Sequence, residues 1–106
     1  MREEREERGE RGRRKRRAPT EEGMLQRLAA LCARTEQCED DLRRKMWRAG
    51  LAGEAAERVL ARLRELKFLD EGRFAAAYAR DKVRFAGWGR NRIRQGLMQK
   101  RVGRSD

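Results

Sequence analysis

Large apolar residues recur every three or four positions through most of this chain, and that spacing restricts it to short amphipathic helices. Met24, Leu28 and Leu31 stand at i, i+4 and i+7, with Leu25 and Cys32 beside them. Leu42, Met46 and Ala49 repeat the pattern within the segment from Cys38 to Ala49, and Ala56, Val59, Leu60, Leu63 and Leu66 form a third stripe, followed by Phe68 and Leu69. The end signals agree with these limits. Thr20 is an expected N-cap with Glu21 and Glu22 in the first turn, and Gly50 is an expected C-cap. Asp70 reads as the N-cap of a fourth helix bearing Phe74, Tyr78 and Phe85 at i, i+4 and i+11, broken by Gly87, Trp88 and Gly89. A fifth helix starts near Arg90, carries Ile93 and Leu97 and stops at Gly103. No segment alternates as a strand does or offers a hairpin turn, so the expected fold class is all-α.

Charge limits the rest. The 106 residues carry a formal net charge of +11, and 44% of them are charged, which predicts attraction to a polyanion. Residues 1–17 alternate Glu and Arg and then turn purely basic (Arg11, Arg13, Arg14, Lys15, Arg16, Arg17), with no large apolar residue after Met1. Nothing there offsets the entropy of ordering, so residues 1–19 are expected to be a disordered tail and the foldable part about 80–85 residues. Nucleic acid is the first candidate partner and an anionic membrane the second, but no apolar run approaches the roughly 18 residues of a spanning helix. No segment reads as a signal peptide, and a soluble cytoplasmic protein is expected. Histidine is absent, which removes the commonest general base and zinc ligand, and two cysteines, Cys32 and Cys38, are too few for a metal site or a disulfide framework. The expectation is no enzyme activity, no catalytic residues, no metal and no cofactor.

Met24-Leu28 aligns with Phe74-Tyr78, and Leu42-Met46-Leu51 with Ile93-Leu97-Val102, at a period of about 50 residues with a one-residue slip. This suggests a tandem three-helix repeat. Three stretches in order then resemble the RecX family, regulators of the RecA recombinase: Glu39-Asp40-Asp41-Leu42-Arg43-Arg44-Lys45-Met46; Val59 through Asp70, followed by Arg73-Phe74-Ala75-Ala76-Ala77-Tyr78; and Gly87-Trp88-Gly89-Arg90-Asn91-Arg92-Ile93-Arg94-Gln95-Gly96-Leu97. The resemblance implies an elongated right-angled array of tandem three-helix repeats: residues 20–69 the first repeat, residues 70–106 a partial second repeat of two helices. Cys38 stands where the family usually has a capping Ser, and Gly72 and Gly96 replace residues that are usually acidic. A thiol accepts hydrogen bonds poorly, and a glycine inside a helix costs about 0.5–1 kcal/mol relative to alanine. With two helices instead of three, the fifth is expected to fray or to pair with a second molecule, giving a monomer or a weak homodimer.

What the resemblance implies for function is binding of RecA and its nucleoprotein filament, with inhibition of recombinase activity in DNA repair and recombination. From the residues themselves, Arg73, Arg80 and Arg84 lie seven and eleven positions apart, so they align along one flank of the fourth helix. Arg90, Arg92, Arg94, Lys100 and Arg101 add charge on the fifth. These eight cations are the candidate contacts to the filament or to single- or double-stranded DNA. Trp88, between two glycines, reads as an apolar plug against the bundle rather than a base-stacking platform; for Trp47, beside Met46, the two readings stand about even. Two rival readings are a helix-turn-helix DNA reader and a basic adaptor module.

Overall fold

The computed structural model describes residues 19–103; the basic run at 11–17 and the rest of residues 1–18 lie outside the described residues, as do residues 104–106. Five α-helices follow one another: α1 (Glu21–Arg34), α2 (Glu39–Ala49), α3 (Gly53–Glu65), α4 (Glu71–Asp81) and α5 (Arg90–Gln99). The protein is all-α, with no strand among the described residues.

The helices start where side chains serve as caps. Thr20 Oγ1 accepts from the backbone N–H of Gly23 at 2.9 Å, and Asp70 Oδ1 from that of Arg73 at 2.9 Å, each meeting a donor that a helix start leaves free. Cys38 is the N-cap of α2 and makes no side-chain cap bond, as a poor acceptor should. Three helix ends share one device. At Gly50, Lys67 and Arg101 the backbone turns left-handed (φ 98°, 66° and 60°), and the next residue's N–H reaches back five positions: Leu51 to Met46, Phe68 to Leu63, Val102 to Leu97. The residue after the turn is apolar each time, which draws the outgoing chain onto the helix it leaves.

The first apolar cluster joins α1, α2 and α3. Met24, Leu28, Leu42, Met46, Leu51, Ala56, Val59, Leu60, Leu63 and Leu69 are all buried, and Leu42, Met46, Leu60 and Leu63 have no exposure at all. Complete burial of such a side chain contributes about 1.5–3 kcal/mol. Leu66, expected on this stripe, is instead exposed, because α3 ends at Glu65 and Leu66 caps it. Bidentate ion pairs fix the helix order from outside: Arg43 of α2 holds Glu57 of α3 at 2.7 and 3.1 Å, and Arg58 of α3 holds Glu21 of α1 at 2.7 and 3.1 Å. Both pull the carboxylates below their ordinary pKa, chiefly through the hydrogen bonds from the arginines.

The second cluster is smaller: Phe74, Val102 and Cys38, flanked by Ala75, Tyr78 and Leu97. Cys38 comes from the start of α2, so α4 and α5 complete their core with a residue from the first three helices. Burial raises the pKa of its thiol. Gly96 of α5 lies under Tyr78 of α4: a β-carbon there would overlap the tyrosine hydroxyl and stand 3.0 Å from its Cζ. With the Tyr78 ring so placed, glycine at this position avoids the overlap, which offsets the helix-propensity penalty expected from sequence.

The fourth helix departs from its expected course. Instead of continuing as α-helix to Gly87, it ends at Asp81 and passes into a π turn over Lys82–Ala86. A π turn closes bonds to the fifth residue back, so it takes up one residue more than an α turn and shifts every later side chain around the axis. Phe85, expected on the Phe74/Tyr78 face, is therefore 78% exposed. The chain then leaves through a left-handed Gly87 (φ 67°), with the Trp88 N–H bonded to the Lys82 carbonyl six positions back. This is the exit used by the other helices, widened by one residue.

Candidate functional site

The described cations divide into two populations. Residues 20–69 hold ten Lys and Arg against nine Asp and Glu, whereas residues 70–103 hold nine against three. Of those three acids, Asp70 caps α4 and Glu71 Oε1 accepts from the Gly103 N–H at 3.2 Å, which leaves Asp81 alone among the basic side chains. In the first region Arg43, Arg44, Arg58, Arg62 and Arg64 are ion-paired with acids of that same region, while Arg27, Arg34, Lys45, Arg48 and Lys67 make no ion pair among the described residues. Among the described residues no ion pair joins two residues of 70–103.

Two of the eight candidate contacts serve the fold. Arg73 donates through Nε to Glu36 at 2.9 Å and through Nη2 to the carbonyls of Lys67 and Phe68 at 3.0 and 3.3 Å, tying the start of α4 to the α1–α2 loop and the α3–α4 link. Lys100 Nζ meets Asp41 of α2 at 3.1 Å. Burial pushes the Asp41 pKa up, but hydrogen bonds from Lys100, Cys38 and Arg44 and the nearby charge of Lys100 outweigh it and hold the carboxyl below its ordinary value. Both cations therefore bridge the two clusters.

The remaining six, Arg80, Arg84, Arg90, Arg92, Arg94 and Arg101, are exposed and have no ion pair among the described residues. Lys82, half-buried and likewise without an ion pair among the described residues, joins them. Its ammonium lies 4.7 Å from the centre of the Trp88 ring and 5.3 Å from that of Tyr78, and Arg92 lies over the same Trp88 ring at 4.4 Å. Trp88 packs edge-on against Tyr78 at 6.3 Å, which in turn sits 5.7 Å from Phe74. Trp88 is thus a half-buried plug whose ring steadies two cations from different elements. Arg84 lies 5.6 Å from the ring of the exposed Phe85. The i, i+4 spacing of Tyr78 and Lys82 could have disclosed the first contact; the convergence of Lys82 and Arg92 on Trp88 depends on how α5 folds back. Trp47 is 70% exposed and belongs to the surface.

A stretch from Arg80 to Arg94 with six cations and one acid, held on helix, π turn and helix, is suited to a polyanion or an acidic protein surface. No helix among the described residues is long and apolar enough to cross a membrane. Residues 70–106 match the family described as RecX, second three-helix domain, which supports a RecX family protein. The match thus falls on α4, the π turn and α5, the region with the uncompensated charge. No curated protein and no solved structure matches the chain.

Proposed function

With residues 70–106 matching a RecX three-helix domain, we propose that this protein is a RecX family member that binds RecA and its nucleoprotein filament and lowers recombinase activity in DNA repair and recombination. The observation that carries the reading is coincidence: the part of the chain that matches the family is the part where, among the described residues, cations outnumber acids nine to three and seven of the nine make no ion pair, against five of ten in residues 20–69. Arg80, Arg84, Arg90, Arg92, Arg94 and Arg101 are the assigned contacts. Arg73 and Lys100 are left out because their charges are engaged with Glu36 and Asp41. The action is stoichiometric occupancy in the cytoplasm, where RecA works, with no chemistry and no cofactor.

The test is RecA's DNA-dependent ATP hydrolysis. Added at concentrations too low to coat the DNA, the protein should slow hydrolysis, and Arg80→Glu/Arg84→Glu/Arg90→Glu should abolish that effect and flatten its dependence on salt. Helicity should stay intact, because exposed substitutions away from caps and core alter stability by about 0.5 kcal/mol or less. Unchanged ATP hydrolysis with the wild-type protein would refute filament regulation. Inhibition by the triple variant equal to that of the wild type would move the interface elsewhere.

A further inference from the structure

Phe85 and Val83 are 78% and 58% exposed, an apolar pair set in the stretch from Arg80 to Arg94 that holds six cations and one acid. Helical periodicity would turn Phe85 toward Phe74 and Tyr78; the π turn turns it out. Exposed rings are poor company for water, and this one is surrounded in sequence by Lys82, Arg84 and Arg80. Trp88 is differently placed. It is half-buried on Tyr78, and Lys82 and Arg92 are drawn to its ring, so it positions charge and offers little face of its own. Phe85 has only Arg84 near its ring, at 5.6 Å.

The geometry points to a single-strand nucleic-acid site at the π turn, in which Phe85 stacks on an unpaired base while Lys82, Arg84 and Arg92 hold the flanking phosphates. Two features select this occupant. The charge around the ring is positive with Asp81 the sole acid from Arg80 to Arg94, which repels a second copy of the same face and favours a polyanion. The protruding group is an aromatic ring, and among polyanions the unstacked single strand is the one that exposes flat π faces to meet it. A duplex hides those faces in its own stack and would use the cations alone. The site goes beyond filament regulation, because it needs no RecA.

The experiment is fluorescence anisotropy with the full chain and no RecA present, using labelled oligo-dT of about 16 nucleotides and a duplex of equal length. The wild type should bind the single strand more tightly. Phe85→Ala should weaken single-strand binding about 5- to 100-fold and change duplex binding by less than about twofold, while Phe85→Tyr should keep most of the affinity. Lys82→Ala/Arg92→Ala should instead lower affinity for both forms and reduce the salt slope by about 0.7 per lost phosphate contact on the single strand. Far-UV circular dichroism confirms that each variant is folded. Equal losses on single strand and duplex, or no loss with Phe85→Ala, would overturn stacking. If Phe85→Ala leaves oligonucleotide binding intact but abolishes the effect on RecA's ATP hydrolysis, the ring docks on protein and the nucleic-acid assignment is wrong. If oligonucleotide binding behaves as expected while RecA's ATP hydrolysis is unaffected by the wild type, the single-strand site stands and filament regulation falls.

Discussion

The two regions of this chain use the same residues for opposite ends. In residues 20–69, five of the eight arginines are ion-paired, and Arg43, Arg58 and Arg64 reach across to carboxylates on neighbouring helices, around a core in which four side chains are wholly excluded from water. In residues 70–103, arginine is mostly free, and the core is thinner, with Phe74 8% and Val102 9% exposed. The second region leans on the first through Cys38, through Arg73 on Glu36 and through Lys100 on Asp41. A small basic unit that cannot satisfy its own charges docks on a nearly neutral neighbour, and most of its cations make no ion pair among the described residues.

The sharpest way to break this comparison is to cut each core equally. Leu63→Ala should cost about 2–5 kcal/mol, whereas Leu97→Ala, at a half-buried position, should cost about 1–2 kcal/mol, both read from urea unfolding. Equal losses would mean that the two cores support the fold alike. Next is the contact between α4 and α5. Alanine at position 96 should favour the helix by about 1 kcal/mol on propensity alone. Because its β-carbon would strike Tyr78, Gly96→Ala should instead destabilise by about 1–3 kcal/mol, and adding Tyr78→Phe should recover part of the loss. A stabilised Gly96→Ala would show that Tyr78 swings aside freely.

The division of labour among the arginines predicts a smaller effect. Arg73→Ala should lower stability by about 1 kcal/mol, a modest figure because the Arg73 and Glu36 side chains are 44% and 30% exposed and water screens the pair. Arg80→Ala should change it by less than about 0.5 kcal/mol while weakening partner binding. Thermal unfolding of both variants decides, and similar midpoints would dissolve the distinction between structural and free arginines. The smallest effect is on acid stability. Asp41 has a folded pKa below its ordinary value near 4, so its contribution is complete above about pH 4 and is lost as pH falls through the lower folded value. Asp41→Asn should therefore flatten the fall in stability below that pH, and an unaltered acid limb would show that the Lys100 contact contributes nothing.

The RecX resemblance read from three stretches of sequence agrees with the family match over residues 70–106. Helix limits were legible for local reasons. Thr20, Asp70 and Gly50 are residue types whose short side chains or bare backbone perform one job at a helix end, and each is found performing it. Lys67 and Arg101 were not legible as left-handed exits, because neither residue type favours that conformation; the apolar residue after each, Phe68 and Val102, draws it there. The candidate site was half legible. Positive charge can be counted, but whether a given cation is free depends on what the fold sets beside it, and Arg73 and Lys100 met carboxylates 37 and 59 positions away.

By itself, then, the sequence determined the all-α class, the three stripes that become the first core, and the polyanion-seeking charge, because apolar periodicity, capping chemistry and net charge are local or additive properties. Only tertiary structure decided that Phe85 faces outward, that Gly96 is a contact point under Tyr78, and that Lys82 and Arg92 share the Trp88 ring. Each of those depends on the one extra residue held in the π turn or on the angle at which α5 returns to α4, and neither is a property of any short stretch of chain.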